Sequence, residues 1–189
     1  MGYKVTIGIS NKHVHLSEAD LGKLFGAGHK LTVKKELKQP KQFAAEETVD
    51  VTGPKGTLKG IRVLGPTRKE SQVELAATDA RNIGLDLPVR ESGVLDGSPG
   101  VKLTGPAGEV NLAKGAIIAL RHIHISSAEA QEAGVKDKDC VTIKTFGSRP
   151  LIFEKVLIRA GDAYSNEMHV DTDEGNAAGI KNGDLVEIG

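Results

Sequence analysis

Histidine is the residue type in this chain whose spacing most clearly indicates chemistry. Four of the six histidines form two His-x-His pairs, His13 with His15 and His122 with His124. On a β-strand the side chains at i and i+2 share a face, so each pair would aim two imidazoles at one point. Imidazole suits zinc, and two histidines with a third histidine or a carboxylate form a usual catalytic zinc set. The competing interpretation is a pair of solvated strand residues, but two pairs among so few histidines favour metal binding or catalysis.

The two pairs belong to a longer repeated segment. Residues 12–20 read KHVHLSEAD and residues 121–129 read RHIHISSAE, with the histidines, a serine and an acid at matching positions. A serine followed three residues later by an acid is typical of a capping box at a helix start. Each copy therefore predicts an extended His-x-His segment followed by a short capped helix. Residues 133–143 and 178–188 also resemble each other, and we predict two β modules related by internal duplication.

Each module offers a third candidate ligand. The tripeptides VEL at 73–75 and MHV at 168–170 are each followed by a Thr-Asp pair, and with a one-residue gap the alignment places Glu74 at the position of His169. Taken alone, Glu74 would be interpreted as a solvated strand residue, and the alignment makes it a candidate ligand. The candidate metal ligands are His13, His15 and Glu74 in the first module, and His122, His124 and His169 in the second.

Two loops could bind an anionic substrate. Arg68 follows a Gly-Pro turn and precedes the predicted strand with Glu74, so its guanidinium could present a planar fork to phosphate oxygens. The alternative is an exposed charge in a turn. Ser92 belongs to the segment RESG at 90–93, a basic loop with glycine whose backbone amides could also hold an anion.

The elements that must position these residues are short β-strands. Apolar, often β-branched residues alternate with polar or small ones, and glycine, proline, asparagine and aspartate separate the stretches. The clearest alternating pairs are Val5/Ile7, Val49/Val51, Ile61/Val63, Val73/Leu75, Val141/Ile143 and Val186/Ile188. Helical patterns are few and short. This pattern predicts a mainly β fold, in barrels or a sandwich, with short capping helices.

The composition excludes several classes of protein. Lys and Arg total 25 and Asp and Glu total 25, while aromatic residues make up 3%, so neither polyanion attraction nor base stacking is expected and nucleic acid is not a predicted partner. The apolar runs are too short for a membrane span, and the chain enters a strand pattern without a signal peptide. Its one cysteine, Cys140, excludes an intrachain disulfide and fits a reducing compartment. We expect a cytoplasmic protein in which Cys140 packs and the sixth histidine, His29, lies in a loop.

At these residues the chain resembles a known family, the PduL-type phosphotransacylases, or phosphate propanoyltransferases. The resemblance runs in one order through nearly the whole sequence. The segments that carry it are ISNKHVHLS at 9–17, QPKQFAAEETV at 39–49, VLGPTR at 63–68, TDA at 78–80, PVRESG at 88–93, ALRHIH at 119–124 and MHVDTD at 168–173.

The resemblance implies a fold and a site. The fold would be two small β-barrels, one from residues 1–11 plus 118–189 and one from residues 12–117, with a small insertion near 26–46. Two zinc ions per chain would be held by the two ligand sets named above. Arg68 would be the catalytic arginine that contacts phosphate, and Ser92 would lie in the matching phosphate-side loop. A homodimer is implied by the resemblance as well.

The implied activity is reversible conversion of a short-chain acyl-CoA, propanoyl-CoA or acetyl-CoA, and inorganic phosphate to acyl phosphate and CoA. Family members housed in bacterial microcompartments commonly carry an additional N-terminal helix. The present sequence starts close to its first strand, which favours a cytoplasmic enzyme. Two alternatives stay open: a zinc-dependent thioester hydrolase, which would not need phosphate, and a non-enzymatic metal-binding barrel.

Overall fold

The computed structural model describes residues 2–189, and the fold is mainly β, as the alternating pattern predicts. The strands are β1 (Lys4–Ser10), β2 (His13–His15), β3 (Val33–Glu36), β4 (Phe43–Gly53), β5 (Gly56–Gly65), β6 (Gln72–Glu74), β7 (Val89–Arg90), β8 (Lys102–Gly105), β9 (Gly108–Asn111), β10 (Ala116–Ala119), β11 (His122–Ile125), β12 (Cys140–Lys144), β13 (Ile152–Ala160), β14 (Glu167–Asp171) and β15 (Leu185–Ile188). The helices of this part of the chain are α1 (Glu18–Phe25), α2 (Ala77–Asn82), α3 (Ser127–Ala133) and α4 (Thr172–Ala178). None of these helices is long and apolar enough to cross a membrane.

Six strands close into a barrel in the first of two compact units. Their order around the barrel is β1-β14-β11-β13-β12-β15, and β15 pairs back with β1. The N-terminal strand β1 thus completes a barrel whose other strands come from the C-terminal part of the chain. Closure leaves the sheet without a free edge.

Alternation along the strands fills the barrel interior. In β1, Val5 and Ile7 are buried while Lys4 is exposed, because successive side chains of a strand point to opposite faces. The buried side chains that form this core include Val5, Ile7, Ile123, Ile125, Ile143, Ile158, Met168 and Val186. Strand β11 is buried on both faces, since its two histidines lie opposite its two isoleucines and are covered as well. The histidines are therefore held on a strand that the core fixes from behind.

The second unit contains a nine-stranded sheet. Eight strands follow the order β7-β10-β6-β2-β5-β4-β8-β9, and β3 pairs with β4. Its core contains Val14, Leu16, Leu24, Val49, Val63, Val73, Leu103 and Ala116. The resemblance implies a second closed barrel here. Instead, among the strand pairings of residues 2–189, none joins the end strands β7 and β9, so these strands form a sheet with two ends.

The limits of the two units can be compared with the predicted division. The first unit comprises the N-terminal residues up to Asn11, Lys38–Pro40 and Leu120–Gly189, and the second comprises Lys12–Leu37 and Lys41–Ala119. Residues 38–40, within the predicted insertion, thus belong to the first unit. Residues 118–119 belong to the second, because they pair with β7 of its sheet.

Each His-x-His strand leads into a capped helix, as the repeat predicts. The Ser126 hydroxyl accepts a hydrogen bond from the Glu129 backbone N–H at 3.2 Å, and the Glu129 carboxylate accepts one from the Ser126 N–H, so a full capping box precedes α3. The Ser17 hydroxyl accepts from the Asp20 N–H at 3.1 Å before α1. The Asp20 carboxylate, however, accepts from the hydroxyls of Ser17 and Ser71. The first capping box is therefore incomplete.

In both units the His-x-His strand lies between one parallel and one antiparallel neighbour. Strand β11 lies between β13, which is parallel to it, and β14, which is antiparallel. Strand β2 lies between β5, which is parallel, and β6, which is antiparallel. The shared arrangement accords with the repeated sequence segments, while the internal duplication itself stays a prediction.

The barrel core should dominate the stability of its unit. Ile123 is completely buried, so Ile123→Ala is expected to lower the free energy of unfolding by about 2–5 kcal/mol through lost burial and the cavity left behind. Ile152 lies on the same barrel but is 63% exposed, and Ile152→Ala should change it by less than about 0.5 kcal/mol. Urea unfolding of both variants checks this expectation. Equal losses would contradict the assignment of Ile123 to the core.

Candidate metal centres

Three histidines converge in the barrel unit, and we call them the barrel cluster: His122, His124 and His169. Each offers a ligand atom within 4.8 Å of the other two. The antiparallel register of β11 and β14 places His122 directly opposite His169. His124 follows two residues after His122 on the same face of β11. The repeat predicted this set, and the register explains how the strands bring it together.

Burial keeps the imidazole of His124 neutral. Its side chain has lost most of its contact with water, and His122, His169 and Arg159 would repel a second positive charge nearby. Desolvation, followed by these charges, lowers the pKa of His124 from the usual 6.5 to about 2. The ring also stacks on Tyr164, with centroids 4.5 Å apart. A neutral imidazole has the lone pair that a metal ligand needs.

Hydrogen bonds define which nitrogens of the other two rings carry protons. His122 Nδ1 lies 2.8 Å from the Leu120 carbonyl oxygen, which can only accept, so Nδ1 donates and Nε2 keeps its lone pair. His169 Nε2 lies 2.7 Å from Glu167 Oε2. Burial opposes ionisation of Glu167, but the bond from His169 and a further one from Gln39 hold its pKa below the usual value. The carboxylate therefore accepts from Nε2, so in the neutral ring of His169 the lone pair lies on Nδ1.

The second unit contains a matching group, which we call the sheet cluster: His13, His15 and Glu74. Their ligand atoms also lie within 4.8 Å of one another. Strands β2 and β6 are antiparallel, and their register places His13 opposite Glu74. Glu74 Oε2 is 3.4 Å from His13 Nε2, and Glu74 Oε1 is 3.9 Å from His15 Nε2. Glu74 thus holds the same place opposite the first histidine of its pair that His169 holds opposite His122.

The electrostatics of the sheet cluster favour an ionised Glu74 carboxylate and a neutral His15 imidazole. Burial opposes the charge on Glu74, but His13, His15 and a hydrogen bond from Ser92 hold its pKa well below the usual value. Burial, followed by the charges of His13 and Arg68, lowers the pKa of His15 well below 6.5. An ionised carboxylate and a neutral imidazole are the protonation states that metal ligands require.

Arg68 and Ser92 lie beside the sheet cluster. Arg68 Nη1 donates to Ser92 Oγ at 3.1 Å, and Ser92 Oγ donates to Glu74 Oε1 at 2.9 Å. The Arg68 backbone N–H donates to the Leu16 carbonyl at 2.9 Å, which anchors the arginine just beyond the end of β2. A chain of hydrogen bonds thus joins the predicted anion-binding arginine to a candidate metal ligand, and the arginine is not an isolated charge in a turn.

Sequence reasoning missed two residues of these centres. Gln72 is 1% exposed, donates to Ser92 Oγ at 2.9 Å and to Glu74 Oε1, and accepts from the Gly93 N–H at 2.8 Å. Glu167 bonds to His169 as described above. Both precede the third ligand by two residues on the same strand. A polar residue at i−2 of a candidate strand ligand was the signal that could have found them.

The donor sets fit a metal ion. Among residues 2–189, the Nδ1 atom of His124 is buried without a hydrogen-bond partner, which is costly unless another ligand satisfies it. Three histidines, or two histidines and a carboxylate, match the nitrogen and oxygen ligands that catalytic zinc uses. His13, His15 and Glu74 could therefore hold one ion, and His122, His124 and His169 could hold another.

Two other residues singled out in the sequence lie outside these centres. His29 lies between α1 and β3, where its Nε2 is 2.8 Å from Glu47 Oε1, in agreement with a loop residue. Cys140 was predicted to pack, and this is wrong, since it is exposed. The reason is strand alternation: Cys140 shares the outward face of β12 with Thr142 and Lys144, while Ile143 faces the core.

The fold and the two clusters define a mainly β protein with two candidate metal centres, one of them linked to a guanidinium. Comparison with known proteins then shows its family: residues 6–181 match the family described as phosphate propanoyltransferase. The chain belongs to the phosphate propanoyltransferase family, and it is therefore an enzyme, a transferase of the phosphotransacylase type.

Individual relatives are similar along almost the whole chain. A phosphate propanoyltransferase of Thermotoga maritima is 54% identical over 185 residues, which cover 97% of this chain and 88% of the relative. One of Levilactobacillus brevis is 51% identical over 178 residues, covering 94% of this chain and 85% of the relative. One of Rhodopseudomonas palustris is 46% identical over 186 residues, covering 98% and 82%.

The two buried histidines predict how the metal-free protein responds to acid. His15 and His124 stay neutral in the folded state but take up a proton below pH 6.5 when unfolded. These two histidines therefore do not lower the free energy of unfolding above pH 6.5. Below pH 6.5 each of them lowers it by about 1.4 kcal/mol per pH unit. Urea unfolding of chelator-treated protein between pH 7.5 and 5.5 measures the slope. His124→Asn should remove one histidine's share, and an unchanged slope would contradict this.

Proposed function

We propose that this protein converts a short-chain acyl-CoA and inorganic phosphate to acyl phosphate and CoA, reversibly, with one zinc ion in each of its two units. The observation that carries the proposal is the hydrogen-bonded link from Arg68 through Ser92 to Glu74. It joins a group suited to phosphate to a group suited to zinc. The relatives are named phosphate propanoyltransferases, which supports a propanoyl group as the group that is transferred and phosphate as the molecule that accepts it.

In this proposal His13, His15 and Glu74 hold one ion, and His122, His124 and His169 hold the other. When bound, zinc supplies Lewis-acid polarisation of a carbonyl and a favourable partner for a soft thiolate. The chain's own contribution includes two neutral imidazoles, those of His15 and His124, and the ionised carboxylate of Glu74. The pKa directions of His15, His124 and Glu74 support those states.

Arg68 binds and orients phosphate. Its guanidinium donates to Ser92 through Nη1, so part of its donor fork is already oriented and less side-chain entropy is lost on binding. Ser92 in turn donates to Glu74, which ties the position of the arginine to that of the ligand. Holding a nucleophile in one orientation accounts for a large part of the rate enhancement in such sites.

The reaction balances without any other reactant. An oxygen of hydrogen phosphate forms a bond to the thioester carbonyl carbon, the carbon–sulfur bond breaks, and CoA leaves with the electron pair as thiolate. The proton that the phosphate gives up ends on this thiolate. Direct attack needs no acyl group on the protein. Cys140 is exposed and belongs to neither candidate ligand group, and the direct route gives it no role.

Cys140→Ala is therefore expected to leave turnover within about twofold of the wild type. A cysteine that carried the acyl group would be essential, since it would be the nucleophile of the first step. The comparison is the initial rate of CoA release from propanoyl-CoA in saturating phosphate. Loss of activity comparable to that of a metal-ligand variant would contradict direct attack.

The experiment that tests the proposal follows thiol release from acetyl-CoA and propanoyl-CoA, with and without phosphate, on a sample whose zinc is quantified. Release that requires phosphate, with two zinc ions per chain, supports the transferase, and the ratio of the two rates identifies the acyl group. Release without phosphate would identify a thioester hydrolase and contradict the proposal. Bound zinc without release from either substrate would contradict it as well.

We also propose that the enzyme is a homodimer that acts in the cytoplasm. The first part rests on the family resemblance, and the second on the single cysteine, which fits a reducing compartment. Light scattering of the purified protein gives the mass of the assembly, and fractionation of cells that produce it gives the compartment. A monomer, or recovery outside the cytoplasm, would contradict the respective part.

A further inference from the structure

In both units a polar side chain precedes the third member of the cluster by two residues. Gln72 precedes Glu74 on β6, and Glu167 precedes His169 on β14. The registers match as well, since Gln72 lies opposite His15 and Glu167 lies opposite His124. Each therefore occupies the same place relative to its His-x-His strand, and each faces its cluster.

Each of these side chains has the hydrogen-bonding chemistry that the third ligand needs. Histidine can donate, and its partner Glu167 is a carboxylate that accepts from His169 Nε2 at 2.7 Å. Ionised glutamate can only accept, and its partner Gln72 is an amide whose Nε2 donates to Glu74 Oε1. A carboxylate at position 72 would repel Glu74. The identity of each residue thus corresponds to the identity of the ligand beside it.

The Glu167 carboxylate is itself held in place. Gln39 Nε2 donates to the Ser165 carbonyl at 2.9 Å and lies 3.5 Å from Glu167 Oε2, while Gln39 Oε1 accepts from the Ser165 N–H at 3.2 Å. Gly8 lies on the adjacent strand β1, where a Cβ would be 2.8 Å from Glu167 Cδ. The missing side chain of Gly8 leaves the room that the carboxylate occupies.

The Gln72 side chain is fixed by hydrogen bonds at both ends of its amide. Its amide oxygen accepts from the Gly93 N–H at 2.8 Å, and its amide nitrogen donates to Ser92 Oγ at 2.9 Å as well as to Glu74. Oε1 of Glu74 therefore receives hydrogen bonds from both Gln72 and Ser92. The other oxygen, Oε2, is the one that lies 3.4 Å from His13 Nε2.

We propose that Glu167 and Gln72 are positioning residues that select the ligand atom of their neighbour. Glu167 fixes the proton of His169 on Nε2 and so presents Nδ1 to the metal. Gln72 occupies Oε1 of Glu74 and so presents Oε2. This inference rests on the proposed function, in which each cluster holds a zinc ion. Removing a side chain that holds a metal ligand in place typically weakens metal binding by about 10–100-fold, and we expect the same range for Glu167 and Gln72.

The test measures zinc affinity by competition with a chromophoric chelator, one cluster at a time. A His15→Ala background leaves the barrel cluster as the zinc site, and there Glu167→Ala should weaken binding by about 10–100-fold. Glu167→Gln keeps an acceptor oxygen and should recover most of the affinity. The matched control is Glu154→Ala, an exposed glutamate on β13 of the same barrel, which should change nothing.

A His124→Ala background leaves the sheet cluster, and the expectations reverse. Here Gln72→Ala should weaken zinc binding by about 10–100-fold, while Glu167→Ala should have no effect. Gln131→Ala, an exposed glutamine on α3, is the control of matched residue type. This crossed design separates an effect on one ligand from general loss of structure, which would weaken both sites.

A second measurement needs no variant. In ¹⁵N-histidine spectra of the zinc-loaded wild type, His169 should carry its proton on Nε2, and His122 should carry its proton on Nδ1. A proton on Nδ1 of His169, or unchanged affinity in Glu167→Ala and Gln72→Ala, would overturn the inference while leaving the zinc proposal intact. A wild type that binds no zinc would instead overturn the proposed function, and the inference with it.

Discussion

Replacing His124 with alanine is expected to remove zinc from the barrel cluster and to lower kcat/KM for acyl-CoA by about 10³-fold. The three rings of the cluster lie close together, and the centroid of His124 is 4.7 Å from that of His122 and 5.0 Å from that of His169. Two imidazoles without the third are a poor set for zinc, which binds at least three protein ligands in catalytic sites. The loss should therefore affect metal content and turnover together.

The measurement pairs zinc content per chain with initial rates over a range of propanoyl-CoA concentrations. The matched control is His29→Ala, which replaces the one histidine outside both clusters and should retain two zinc ions with turnover within about threefold of the wild type. Thermal unfolding of both variants checks that they fold. Two zinc ions or undiminished turnover in His124→Ala would contradict a metal-binding role for the barrel cluster.

Replacing Arg68 with alanine is expected to lower kcat/KM for phosphate by about 10²–10³-fold, with zinc content unchanged. The guanidinium is lost, but His13, His15 and Glu74 keep their places because Gln72 and Ser92 still donate to the carboxylate. Arg68→Lys should recover only part of the activity, since an ammonium offers a point charge and not a planar fork. The substitution should lower kcat/KM for phosphate far more than kcat/KM for acyl-CoA.

Initial rates at varied phosphate and fixed propanoyl-CoA give this comparison, with zinc measured on the same samples. Arg81→Ala is the matched control, because Arg81 is an exposed arginine on α2 of the same unit. It should have wild-type rates within about twofold. An Arg68→Ala enzyme with a normal response to phosphate would exclude Arg68 as the phosphate-binding group.

Much of the site could be predicted from the sequence because strand geometry is local. In His13-x-His15 and His122-x-His124 the two imidazoles share a face whatever the rest of the fold does, since the side-chain period of a strand is two residues. The partners Glu74 and His169 could be aligned only because the segments repeat. The registers of β6 with β2, and of β14 with β11, then bring them into place.

The predicted mainly β class and the capped helices after each His-x-His strand have the same local origin. Alternating apolar residues bury one face of a strand, and Ser126 with Glu129 satisfies the first amides of α3 from within four residues. Neither depends on which distant strands become neighbours.

Only the tertiary structure decided which strands pair and which polar groups become buried. The closed barrel requires β1 to pair with β14 and β15 from the far end of the chain, and no local pattern encodes the nine-stranded pairing of the other unit. Gln72 and Glu167 look like ordinary polar strand residues until their partners are known. A polar side chain is stable in the interior only when distant groups complete its hydrogen bonds, and those groups meet through the fold.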